Sequence, residues 1–136
     1  MVGPLRSLLA IVALVLAGCA TTAPRLEGPD WRLTAWSVSS MRATDHPITA
    51  RFAGGGIQGR SAVNTYRGAA TVGPGSAIAF GPFATTRMAG PEPAMRAEGL
   101  YLGLLERVRS YRIDADRLML FDDNGNELLV FSRPPG

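Results

Sequence analysis

The segment Asp122 to Glu127 (DDNGNE) gathers carboxylate and amide oxygens, the donors a calcium ion takes. Its glycine is out of place for a calcium-binding hand, and its flanks alternate like strands, so it is read as a hairpin tip. Gly54, Gly56 and Gly59 match a GxGxxG spacing, which cradles a dinucleotide only between a strand and a helix, with an acid about twenty positions on. The residues that follow read as a strand and no acid appears before Glu92, so these glycines are read as a turn. His46 is the only histidine, which rules out a Ser-His-Asp triad and a multi-histidine metal site. It precedes Pro47 in a loop and is read as solvated. Every basic residue is arginine, so Schiff-base and Ser-Lys chemistry are excluded. Asp114 and Asp116 are spaced for one face of a strand and are the remaining carboxylate pair, although solvated turn acids explain them as well. The chain is accordingly read as non-enzymatic, with no catalytic residue, cofactor or metal.

Cys19 is the residue with the most specific chemistry. Arg6 supplies a basic start, Leu8 to Leu16 (LLAIVALVL) are apolar without a break, and Leu16-Ala17-Gly18-Cys19 resembles the lipobox of bacterial lipoproteins. The apolar run falls far short of the ~20 residues a bilayer requires and reads as an export signal. The resemblance implies that residues 1–18 are removed and that the Cys19 thiol carries diacylglycerol. Each buried acyl methylene contributes ~0.8 kcal/mol, so two or three chains would anchor the protein to a membrane without spanning it. Ala20 lacks the aspartate that often retains lipoproteins at the inner membrane, so the expected place is the outer membrane, facing the periplasm.

Residues 19–29 contain two prolines and no hydrophobic period, the composition of a tether, so the domain is expected from Asp30 to Ser132 with a tail over 133–136. At 136 residues the chain is about one domain long. Loss of Arg6 leaves thirteen arginines against eleven acids, a surplus too small and too scattered along the sequence to suggest a nucleic-acid surface. With its one cysteine in the export segment, the mature domain holds no internal disulfide.

Asp30 to Val38 sets Trp31, Leu33 and Ala35 against Arg32, Thr34 and Trp36, a strand period. Ile48 to Phe52 and Ile57 to Ala62 read as strands joined through Gly54-Gly55-Gly56. Tyr66 to Val72 and Ser76 to Phe80 flank Gly73-Pro74-Gly75. One helix is expected over Ala94 to Arg107, entered through proline, with Met95, Leu102, Leu105 and Val108 near one face. Val108 to Ile113 and Leu118 to Phe131 close the chain as strands, the latter a hairpin through Asn124-Gly125 of type I′. The fold class is α+β, mainly antiparallel β: a curved sheet or partial barrel with one packed helix.

Trp31 and Leu33, Ile48 to Phe52, Asn64 with Tyr66 and Gly68, Thr85 to Ala89 (TTRMA), Met95 with Glu98, and the final hairpin together resemble the META domain, the HslJ-like family. The resemblance spans about residues 30 to 132 and is most distinctive at Thr86, Arg87 and Met88 followed by Met95 and Glu98. It implies a small envelope protein, often a lipoprotein, of mainly antiparallel β fold, associated with stress response and antibiotic tolerance rather than with a reaction. Many members have Gly-Cys-Asn where this chain has Ala62-Val63-Asn64, and Thr-Arg-Met-Ala-Cys where it has Thr86 to Gly90. Both cysteines are missing together, as expected if they pair in the relatives.

Asn64, Tyr66, Thr86, Arg87, Met88 and Glu98 are therefore the candidate binding or structural residues. Arg87 and Glu98 could meet across strand and helix, either to recognise a partner or to fix the helix on the sheet; the second reading is preferred. Asn64 suits a turn, and Tyr66 a core edge with its hydroxyl wet. The expected function is a non-catalytic envelope lipoprotein whose domain binds or stabilises another envelope component. The alternative is a carrier that holds a small ligand between helix and sheet.

Overall fold

In the computed structural model, residues 3, 25–38 and 40–134 are described. Cys19 and, apart from Gly3, the residues 1–18 read above as an export signal lie outside them. Eight strands follow the alternating patterns: β1 (Trp31–Trp36), β2 (Thr49–Ala53), β3 (Gly56–Arg60), β4 (Thr65–Val72), β5 (Ile78–Thr85), then, after helix α1 (Glu92–Arg107), β6 (Ser110–Asp114), β7 (Arg117–Phe121) and β8 (Glu127–Ser132). All pair antiparallel in one sheet of order β5-β4-β3-β2-β1-β8-β7-β6. The sheet curls until its edges touch at one end, where Ala77 bridges Ser110 and the Ile78 amide donates to the Arg109 carbonyl. It does not close into a barrel, and α1 lies along β5.

The core fills the hollow of this curl with Trp31, Leu33, Phe52, Ile57, Leu118, Leu120, Leu129 and Phe131, and α1 adds Tyr101 and Leu105. Leu105 and Val108 are buried and Leu102 packs against the core as expected, but Met95 is exposed, and the buried face also takes in Ala97, Glu98, Tyr101 and Leu104. An apolar count misses this face because a glutamate and a tyrosine sit at its centre.

Three further departures have local causes. A register shift between Leu33 and Ala35 turns β1 over, so Ala35 is exposed while Trp36 packs toward the core. The β7–β8 turn is not type I′, because of its residues only Gly125 takes a positive φ (80°). Instead the Gly125 amide donates to the Asp122 carbonyl, and the Asp122 carboxylate accepts the amides of Asn124 and Asn126, a three-residue loop with a glycine bulge. Asp114 ends β6 while Asp116 lies in the following turn, paired with Arg133 at 2.8 Å, so the two do not share a strand face.

The folded unit also begins before Asp30. Leu26 is buried in the core, and its carbonyl accepts the Trp31 indole N–H at 3.1 Å. Since the core runs from Leu26 to Phe131, a chain starting at Ala20 keeps all of it.

Gly59 is required by close approach rather than by a phosphate. A Cβ there would sit 2.1 Å from the Thr49 carbonyl oxygen, where β2 leans over β3 and Thr49 Oγ1 accepts the Arg60 amide. Gly59→Ala is expected to destabilise the domain by about 2–3 kcal/mol, as overpacking does. Urea unfolding checks this, and a cost below ~0.5 kcal/mol would show that the strands can part freely.

Candidate functional site

Four of the six candidate residues, Asn64, Thr86, Met88 and Glu98, converge where the β3–β4 turn, the β5–α1 connection and the helix meet. Asn64 is the hub. Its amide donates to Glu98 Oε1 at 2.8 Å, and its Nδ2 donates to Glu98 Oε2 at 2.8 Å and to the Met88 carbonyl at 3.3 Å. Its Oδ1 accepts from Thr86 Oγ1 at 2.9 Å and from the Met88 amide at 2.7 Å. The Thr86 hydroxyl oxygen in turn accepts the Thr65 amide at 3.1 Å. Ser61, buried and not singled out by sequence, donates its hydroxyl to Glu98 Oε1 at 2.6 Å.

Glu98 is 8% exposed and has no cation within ion-pair distance among the described residues. Burial pushes its carboxyl up, but hydrogen bonds from the Ser61 hydroxyl, the Asn64 side chain and the Asn64 and Val63 amides outweigh it and hold the group below its ordinary value. Glu98 is therefore a carboxylate satisfied by neutral donors. The expected pair with Arg87 does not form. Arg87 is exposed in the connection after β5, and neither it nor the exposed Met88 side chain enters the network, to which Met88 contributes backbone only.

Tyr66 is buried rather than wet at its tip. Its hydroxyl donates to the Thr49 carbonyl at 2.8 Å and meets the Tyr101 hydroxyl at 2.5 Å, and the two rings pack edge to face. Burial pushes both phenols up, so both stay protonated.

The missing cysteines fall into place here. Val63 lies directly against Gly90: a Cβ built on Gly90 would stand 3.5 Å from Val63 Cβ and 2.7 Å from its Cγ2. The two positions are spatial neighbours, now filled by a branched side chain over a bare backbone.

The META domain model matches residues 24–135. The chain belongs to the META domain family. A protein from Burkholderia xenovorans, solved by NMR, is 28% identical with a TM-score of 0.65, over 82% of this chain and 85% of that one. A second NMR structure, 18% identical with a TM-score of 0.60 over 79% of this chain and 91% of that one, bears on the fold alone. No curated protein matches the chain. In this META domain, the residues that carry the family resemblance serve mostly to tie helix to sheet.

The outer face of β2–β5 holds residues that reading along the chain misses. Arg51 stands opposite Gln58, Gln58 opposite Arg67, and Arg67 opposite Ala84, a row across four strands whose members are all exposed. Arg60 stands beside it opposite Thr65. These residues, with Asp30, Thr49, Thr85 and Thr86, line an open depression of about 640 Å³. The available signal was the absence of any acid between Asp45 and Glu92, a span that contains four arginines.

The network makes acid the sensitive condition. Glu98 and Asp122 are both held low; for Asp122 the first cause is the Asn126 side-chain amide, with backbone amides and Arg107 adding to it. A depressed folded-state pKa means that the unfolded chain binds more protons in the window between the two values. Stability from these groups is thus full above the ordinary carboxylate range, about pH 4, and is lost as pH falls through the folded values. Glu98→Gln, which places a donor where Oε2 accepts from Asn64, should lower the midpoint at neutral pH and flatten its fall in acid. Thermal unfolding from about pH 7 to pH 3 checks this, and an unchanged acid slope would contradict it.

Proposed function

We propose that this chain is an exported lipoprotein, anchored through Cys19, whose META domain binds an envelope component by surface complementarity and catalyses nothing. The reading is carried by the division of labour in the domain. Of the family-like residues, Asn64, Thr86 and Glu98 are consumed by a closed network, and no buried side-chain polar atom among the described residues lacks a partner, so that centre offers nothing to a ligand. The outer face of β2–β5 instead presents unsatisfied arginine donors around an open depression. Its openness suits a macromolecular partner better than an enclosed small molecule.

The lipobox-like end of the export segment supports anchoring, and the lack of aspartate after Cys19 supports an outer-membrane, periplasm-facing place. A role in stress response rests on the family resemblance alone. One observation favours a carrier, though not one that uses the helix: near the end where the sheet edges meet lies an apolar hollow of about 460 Å³ beside Leu26, Phe52, Ala70, Val72 and Tyr111, with no α1 residue in its lining.

Thermal unfolding of the chain from Ala20 onward, with envelope extract divided into macromolecular and small-molecule fractions, tests the choice. Binding to the native state raises the midpoint by mass action. The surface reading expects a rise with the macromolecular fraction, and a rise with the small-molecule fraction alone would replace it with the carrier.

A further inference from the structure

We infer that the partner of the outer face of β2–β5 is a bilayer surface bearing anionic phosphate headgroups, an assignment that rests on the anchored, surface-binding reading above. Charge comes first. Between His46 and Pro91 the chain carries four arginines and no acid, and strand pairing places three of them, Arg51, Arg60 and Arg67, on one side of the sheet. Alternation enforces this, because Ala50, Phe52, Ile57 and Tyr66 point into the core and leave the arginines outward.

The acid at this face is Asp30, which meets Arg51 at 3.2 Å with both side chains more than half exposed, an ion pair of little strength that an anion can replace. Arg67 has no carboxylate within ion-pair distance among the described residues, and Arg60 gives its Nε to the Ala62 carbonyl alone. The remaining lining is short and polar, with Thr49, Gln58, Thr65, Thr85 and Thr86, so headgroups can reach the guanidinium groups.

Exposure decides between a surface and a single ion. A discrete anion site would bury its donors, whereas these arginines are solvated and act through their summed field, as basic residues do at an anionic membrane. Placement agrees. Asp30 lines the depression and lies eleven residues after Cys19, so a lipid on that thiol would hold the face within about 40 Å of the bilayer.

Co-sedimentation of the chain from Ala20 onward with phosphatidylcholine vesicles, with and without phosphatidylglycerol, tests the assignment. Binding is expected only with phosphatidylglycerol and is lost at high salt. Each basic residue held at such a surface multiplies binding roughly fivefold, so Arg51→Gln, Arg60→Gln and Arg67→Gln together should weaken it on the order of 100-fold. Arg96→Gln, Arg107→Gln and Arg133→Gln together remove the same charge from other parts of the molecule and should weaken it far less. Equal loss in both triple variants would reduce the effect to net charge and overturn the assignment. So would binding to neutral vesicles, or displacement by inorganic phosphate at constant ionic strength, which marks a single-ion site. If anionic vesicles fail while the macromolecular envelope fraction still raises the unfolding midpoint, the surface reading stands and the bilayer assignment falls.

Discussion

Val63→Cys together with Gly90→Cys is expected to close a disulfide and raise the unfolding midpoint of the chain from Ala20 onward by roughly 10–15 °C. The Cβ separation of 3.5 Å between Val63 and an added Gly90 Cβ lies within the range that disulfides occupy. The crowding that a Gly90 side chain would meet comes from the Val63 γ-carbons, which the first substitution removes. The cross-link joins positions 27 apart, and constraining an unfolded loop of about that length contributes ~3.5 kcal/mol in the chain-entropy model. Comparing the oxidised and reduced double variant isolates the cross-link. The same midpoint in both, or thiols that stay free under oxidant, would show that the β3–β4 turn and the approach to α1 are not neighbours. Gly90→Cys alone, with Val63 retained, should destabilise.

Asn64→Ala should be the most damaging single change at the site. It removes every side-chain hydrogen bond of Asn64, leaving Glu98 Oε2 and the Met88 backbone groups without those partners. Buried groups left unpaired cost about 1–3 kcal/mol each, more when charged, and partial rescue by water brings the expected total to ~3–4 kcal/mol. Denaturant unfolding measures it. Arg87→Ala, by contrast, should fall within about 0.5 kcal/mol of the parent, because Arg87 stands exposed outside the network. A cost below ~1 kcal/mol for Asn64→Ala would mean that the network is not what fixes the helix to the sheet.

Local features were the legible part of this fold. Alternation from Trp31 to Leu33, the Gly54–Gly56 turn and the Asp122–Asn126 tip mark strands and hairpins because period and turn chemistry act over a few residues. What depends on distant partners was less visible. Leu26 sits in a proline-containing stretch and is core only because Trp31 folds back over it. Glu98 and Tyr101 look like the polar side of a helix, yet they are buried because Asn64, Ser61 and Tyr66 supply their hydrogen bonds from another strand pair. The family resemblance picked out Asn64, Thr86 and Glu98, but their connectivity, and the exclusion of Arg87, emerged only in three dimensions. Arg51, Arg60 and Arg67 look scattered along the chain, and only the register of β2, β3 and β4 makes them one face.

The central claim is that this META domain meets its partner with the outer face of β2–β5 and uses its family-like residues for internal support. Amide chemical-shift mapping of the chain from Ala20 onward, titrated with detergent-solubilised envelope, tests it most directly. The account predicts perturbations gathered at Arg51, Gln58, Arg60, Arg67 and Ala84. Perturbations gathered instead at Leu26, Phe52, Val72 and Tyr111 would contradict it and place a small ligand in the apolar hollow near the meeting edges of the sheet.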